Sequence, residues 1–133
     1  MEQPFPQLSK VVAIGTDLLD SRRIEQSLAR FGQRFVERIL TADERLIYQK
    51  RQQSVNFLAK QFAAKEALAK ALGTGIAKGV GFQELEILRN EQGTPYVNLY
   101  AGAALKLAEL GADRALVSLS DEGTLVLAFA LLQ

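Results

Sequence analysis

The run from Phe57 to Gly75, FLAKQFAAKEALAKALGTG, constrains the fold more than any other stretch of the chain. Alanine, leucine, lysine and glutamate are strong helix formers, and no proline or β-branched residue interrupts them before Thr74. Apolar side chains at Leu58, Phe62, Leu68 and Leu72 recur at near-helical spacing, which predicts a core-facing stripe. Gly73 predicts the stop, because glycine alone enters the left-handed C-cap conformation without steric cost. Glu66 and Lys70 lie one turn apart, with Phe62 and Ala63 one turn before the glutamate, so its carboxylate falls at the margin of the stripe. An exposed Glu-to-Lys pair at this spacing is worth a few tenths of a kcal/mol and implies no function by itself.

The chain contains no cysteine and no histidine. Disulfides, zinc–thiolate sites and thiol nucleophiles are therefore excluded. So are an imidazole base, a histidine metal site and a Ser-His-Asp triad. Acid–base or metal chemistry has to use carboxylates, lysines, hydroxyls or backbone groups. Carboxylate-only ligation points to a hard cation such as magnesium. The 133 residues, 48% hydrophobic and 23% charged, fit one globular domain that buries roughly two thirds of its unfolded surface. A net charge of +1 conceals a basic third: residues 21–60 carry nine lysines and arginines against four acidic side chains. Such a segment suits an acidic partner, nucleic acid or protein; it is also what a solvated helix face looks like.

Residues 1–10, with Pro4 and Pro6 and no apolar core, are expected to be a flexible lead-in to a domain spanning 11–133. The longest apolar run, Leu125 to Leu132, is far shorter than the ~20 residues of a membrane span, and the expected compartment is the cytoplasm. Val11 to Ile14 predicts a short strand ended by Gly15, with Asp17 and Asp20 just beyond it. Asp20 suits an N-cap for a helix over Ser21–Phe31; Asp17 is open between a cap and a functional carboxylate. Gly32 breaks that helix. Thr41 and Glu44 form a capping-box pattern opening a helix through Arg51, and Ser54 suits the cap of the 57–72 helix. Strands are predicted over Phe82–Arg89 and from Pro95 to Leu99, a helix over Ala101–Leu110, and strands over Ala115–Ser120 and Thr124–Leu132. The last is apolar on both faces, so it belongs at the centre of a sheet or at a subunit interface. The sum is an α+β domain, helices packed on a mainly antiparallel sheet.

Neither a Walker-type loop nor a GxGxxG after a strand is present. Gly73-Thr74-Gly75 is a weak phosphate-loop signal, equally well explained as a helix stop. Together, however, Asp17 near a strand end, Glu66, Lys65 and Lys70 on one helix and this loop would suit magnesium-assisted chemistry on a phosphate ester.

Several of these stretches also match a known pattern: IGTDLLD at 14–20 with Arg23-Ile24, Phe57-Leu58-Ala59, FAAKEA at 62–67 and KALGTGI at 70–76. Further on come Phe82, Glu84-Leu85-Glu86-Ile87, Gly93 with Pro95, and Val117-Ser118-Leu119-Ser120. The chain resembles the holo-acyl-carrier-protein synthase family, the small 4′-phosphopantetheinyl transferases, from Val12 to its C-terminus. The resemblance implies that fold, and transfer of the phosphopantetheine arm of coenzyme A to a serine of an acyl carrier protein in fatty-acid biosynthesis, releasing adenosine 3′,5′-bisphosphate. It implies magnesium held by Asp17 and Glu66, with Glu66 accepting the serine proton and Lys70 facing the phosphates. Lys65 and residues Gly73, Thr74 and Gly75 would lie with the nucleotide. Arg22, Arg23 and Arg34 would meet the acidic helix of the carrier, and active sites would lie between the subunits of a homotrimer. No membrane and no nucleic acid enter this picture; an aromatic platform near the arginines is limited to Phe31 and Phe35. Two departures from the family pattern bear on the nucleotide: Gln61 stands where many members have a phosphate-binding arginine, and Asp121 where many have histidine; Ser21 also replaces the usual aliphatic residue. A relative with little activity that only binds a carrier protein is the alternative.

Overall fold

The 57–72 run forms the greater part of a long buried helix in the computed structural model of the chain, which describes residues 10–133. The lead-in expected over 1–10 lies outside those residues apart from Lys10. In chain order the elements are β1 (Ala13–Asp20), α1 (Ser21–Phe31), α2 (Gln33–Ile39), α3 (Ala42–Lys50) and α4 (Val55–Ala71). A 3-10 turn (Phe82–Glu84) follows, then β2 (Leu85–Arg89), β3 (Pro95–Leu99), α5 (Ala101–Glu109), β4 (Ala115–Glu122) and β5 (Leu125–Leu132).

The start of α4 is fixed by Ser54, whose hydroxyl accepts from the Phe57 N–H at 3.2 Å. Its end is fixed at Gly73, where φ is 81°. Leu58, Leu68 and Leu72 are buried as the periodicity predicts, and so are Ala59, Ala63, Ala64, Ala67 and Ala71. The helix is thus enclosed on nearly every side. Its alanines let the three-stranded sheet lie close, because small side chains shorten the distance between layers.

That sheet has the order β1-β5-β4, antiparallel throughout, and β2 pairs with β3 in a separate hairpin. The doubly apolar β5 is the central strand, in accord with its sequence. One of its faces, carrying Val126, Ala128, Ala130 and Leu132, is buried against α4. The other stays open: Leu125, Leu127 and Phe129 are exposed, beside Ile14 and Leu18 of β1 and Leu116 of β4.

The first strand corrects its expected boundaries. It does not stop at Gly15 but continues to Asp20, pairing residue for residue with β5. Gly15 is a contact point rather than a terminator. A Cβ there would stand 2.2 Å from the Ala67 carbonyl oxygen and 2.7 Å from the Ala71 nitrogen, so only glycine lets β1 rest on α4. The strand expected from Phe82 likewise begins at Leu85, after the 3-10 turn. Caps at Asp20 and Thr41 form as expected; Thr41 and Glu44 make both bonds of the capping box. Among the described residues no helix is long and apolar enough to cross a membrane.

Candidate active site

Because β1 runs on past Gly15, Asp17 lies inside a strand on the face that meets α4, not in a loop beyond it. Gly15, Asp17 and Leu19 share that face by the two-residue period of the strand. The Asp17 side chain is 16% exposed, and Lys70 of α4 reaches across to it: Nζ lies 3.1 Å from Oδ1 and donates to the Thr16 carbonyl at 2.9 Å. Lys70 therefore pairs with the strand carboxylate, and not with Glu66 one turn earlier on its own helix.

Glu66 is half-buried. Its carboxyl is shifted above the ordinary glutamate range, first by burial and then by the negative charge of Asp17; Lys70 and Arg23 pull the other way. Asp17, Arg23, Glu66 and Lys70 thus converge from three elements, and nothing in their sequence separation of about fifty positions dictates it. Two mutually repelling carboxylates without a nitrogen or sulfur ligand form a donor set that fits magnesium, which takes one or two carboxylates and completes its shell with water and phosphate oxygens. Among the described residues no group of three or more ligating side chains occurs.

Glu66 opens on a cavity of about 330 Å³ lined by Phe35, Arg38, Phe62, Ile76 and Phe82. A neighbouring cavity of about 280 Å³ shares Phe35 and Phe62 and is rimmed by Arg23 and Arg30 of α1. The Phe62 ring packs between Phe35 and Phe82, with centroids 6.4 and 5.5 Å away, and makes a common apolar floor. Arg23 and Arg34 are exposed, on α1 and α2. Arg22, also exposed, is held through its side chain to the Asp20 carboxylate that caps α1.

Two expectations for the nucleotide side change. Lys65 is fully buried, and its ammonium is saturated by the Glu44 carboxylate at 2.6 Å and the carbonyls of Ile39 and Phe82. With three donors used, none is left for a phosphate. Lys65 is a core residue, although burial lowers its pKa. The Gly73-Thr74-Gly75 loop is no phosphate cradle either. Its N–H groups all donate to carbonyls of the last turn of α4, those of Thr74 and Gly75 both to Ala69. What the loop offers a ligand is shape and not donors.

The two departures from the family pattern also acquire physical settings. Gln61 is buried; its amide donates to Glu44 at 2.6 Å and to the Ile87 carbonyl at 2.9 Å, and its oxygen accepts from Arg89 at 2.9 Å. Asp121 is paired with Lys60 at 3.0 Å and accepts from Asn56 at 3.1 Å. The polar core around Glu44 had a sequence signal. Gln61 and Lys65 fall on the same helical stripe as Leu58, Leu68 and Leu72, where a polar side chain must find partners indoors.

Comparison with known proteins follows the same lines. A sequence profile of the 4′-phosphopantetheinyl transferase superfamily matches residues 13–130. A holo-acyl-carrier-protein synthase from Shewanella denitrificans is 44% identical over 123 residues, covering 92% of this chain and 98% of the relative. The crystal structure of the holo-acyl-carrier-protein synthase from Neisseria meningitidis superposes with a TM-score of 0.85 at 42% identity, covering 93% of this chain and 99% of that one. The Helicobacter pylori synthase, solved in complex with coenzyme A, superposes at 0.80 with 28% identity, over 90% and 99% of the two chains.

Proposed function

The chain belongs to the 4′-phosphopantetheinyl transferase superfamily, and we propose that it transfers the 4′-phosphopantetheine arm of coenzyme A to a serine of an apo acyl carrier protein, in support of fatty-acid synthesis. The observation that carries this reading to individual residues is the convergence of Asp17, Glu66, Lys70 and Arg23 at the mouth of a cavity.

In the reaction the carrier serine Oγ bonds to the phosphorus that bears pantetheine. The bond from that phosphorus to the bridging oxygen breaks, and its electron pair leaves with adenosine 3′,5′-bisphosphate. Glu66 takes the serine proton on a carboxylate oxygen at the cavity wall. Asp17 and Glu66 are the residues that would hold magnesium, which when bound neutralises charge on the pyrophosphate oxygens. Lys70, half free of the fold, turns its ammonium from Asp17 to the phosphoryl oxygens as negative charge grows there. Gly73 to Gly75 bound the nucleotide by shape. Lys65 has no part in binding.

The carrier docks along α1 and α2, where Arg23 and Arg34 present free positive charge and Arg22 adds a guanidinium already tied to Asp20. The exposed apolar face of the sheet is the subunit contact of a homotrimer, since a surface of Leu18, Leu125, Leu127 and Phe129 is otherwise open to water. The cytoplasm, where coenzyme A and carrier protein meet, is the compartment. The test is to mix the chain with apo carrier protein, coenzyme A and magnesium and to weigh the carrier. A gain of one phosphopantetheine group that disappears on chelation is expected. Carrier binding with no mass gain would leave a binding-only relative, and transfer surviving in EDTA would remove the metal.

A further inference from the structure

The cavity in front of Glu66 is walled by separate pieces of chain. Phe35, Arg38 and Ile39 come from α2, Phe62 from α4 and Phe82 from the 3-10 turn. α2 is only seven residues long, and so short a helix has little stability of its own. Its last carbonyls also lack partners within the helix. The position of α2, and of the wall it carries, is therefore set by the groups that take up those carbonyls.

Two side chains take them up and tie them to the 3-10 turn. From inside, the Lys65 ammonium donates to the Ile39 carbonyl at 2.5 Å and to the Phe82 carbonyl at 3.0 Å, and its third bond goes to Glu44 at 2.6 Å. From the surface, the Gln83 amide of the turn itself donates to the carbonyls of Glu37 at 2.7 Å and Leu40 at 2.8 Å. Arg45 of α3 adds a bond to Leu40 at 3.0 Å. Glu44 is a fixed anchor for the ammonium, because its carboxylate also accepts from the N–H groups of Thr41 at 2.7 Å and Ile87 at 3.0 Å and from the Gln61 amide at 2.6 Å. A buried ion pair is a poor source of stability, since desolvation offsets most of its attraction. What this one supplies is direction: N–H groups aimed at three segments at once, from the residue immediately before Glu66. An apolar side chain would fill the same space without fixing α2 against the turn.

We propose that Lys65 and Gln83 are positioning residues for transfer: they clamp α2 to the 3-10 turn and so hold the cavity wall that faces the Glu66 carboxylate. The effect on transfer rests on the transferase reading above; the clamp does not.

The first measurement therefore needs no turnover. Amide hydrogen exchange is followed in the wild type, in Gln83→Ala and in Lys65→Met combined with Glu44→Gln, which removes the charge that Lys65→Met alone would leave unpaired. The reporters are Leu40, whose N–H bonds to the Val36 carbonyl, and Leu85, whose N–H bonds to that of Phe82. Their protection should fall about tenfold or more in both variants, while that of Ala128 in the central strand changes less than about twofold. An equal loss at all three amides, or none, overturns the clamp. The second measurement is transfer at saturating carrier protein, well below the melting temperature. In both variants kcat should fall about tenfold or more, with KM for coenzyme A within about twofold, because the wall and not the nucleotide contact has moved. Full kcat in variants whose reporters have lost protection shows that the wall has no bearing on transfer and overturns the positioning role. Gln83 is exposed, so its variant decides the matter if the double variant unfolds. Wild type that transfers nothing sinks the transferase reading, and hydrogen exchange still decides the clamp.

Discussion

Glu66 and Lys65 are neighbours in sequence with opposite fates, and the difference is their angle on α4. A step of about 100° turns Glu66 to the margin, where it faces Asp17 and a cavity, and Lys65 into the core, where it meets Glu44. Each position makes its own prediction. Glu66→Gln should lower transfer about 100-fold or more, as loss of a general base does, while the melting temperature holds or rises because a repulsion with Asp17 is gone. Near-full activity in that variant would return Glu66 to an ordinary surface residue. Lys65→Met should instead cost stability, on the order of 3–5 kcal/mol in urea unfolding, because it leaves the Glu44 carboxylate buried without its cation. A loss below about 1 kcal/mol would mean that Glu44 finds water instead.

Among the elements, β1 and α4 carry the site between them, and Gly15 sets their spacing. Gly15→Ala drives a methyl group into the backbone of α4 at Ala67, an overpacking that should cost roughly 1–3 kcal/mol or more. Asp17 is two residues further along the same face, so activity measured well below the melting temperature should fall too. Full activity there would show that the strand shifts without moving its carboxylate. The junction of β1 and α1 is sensitive to acid. Hydrogen bonds from the side chain and backbone of Arg22 hold the Asp20 carboxyl at about 2, below its ordinary 3.8. The folded state thus binds this proton less readily than the unfolded chain. The stabilisation is complete above 3.8 and drains away as pH falls towards about 2. Asp20→Asn can still cap α1 but has no charge to lose, so its melting temperature should fall less steeply across that interval. Identical slopes would mean that the carboxylate adds nothing beyond the cap.

At the scale of the whole molecule, the sheet divides the chain into a covered side and an open one. The inner face packs on α4, while Leu18 and Leu127, paired across β1 and β5, remain 65% and 45% exposed on the outer face. Leu127→Glu should therefore leave the fold intact and shift the species seen by light scattering from trimer to monomer, with loss of transfer if sites lie between subunits. A monomeric wild type would show that this face serves another purpose.

Much of the fold was legible because it is written in local terms. The glycine stop at Gly73, the caps at Asp20, Thr41 and Ser54 and the doubly apolar β5 each express a backbone or burial requirement within a few residues. Absence of histidine and cysteine restricted the chemistry before any coordinate was known. Family resemblance then singled out Asp17, Glu66 and Lys70. What local sequence could not express is contact between distant segments. Gly15 read as a strand end because its close approach to Ala67 exists only once β1 lies on α4. Lys65 read as a ligand contact because its partner Glu44 comes from another helix, and Gly73 to Gly75 read as a cradle because their amides were not yet counted against the carbonyls of α4. Charge and hydrogen bonding act through space, so whether a lysine is a ligand, an ion pair or a core residue is decided by what the tertiary structure sets beside it.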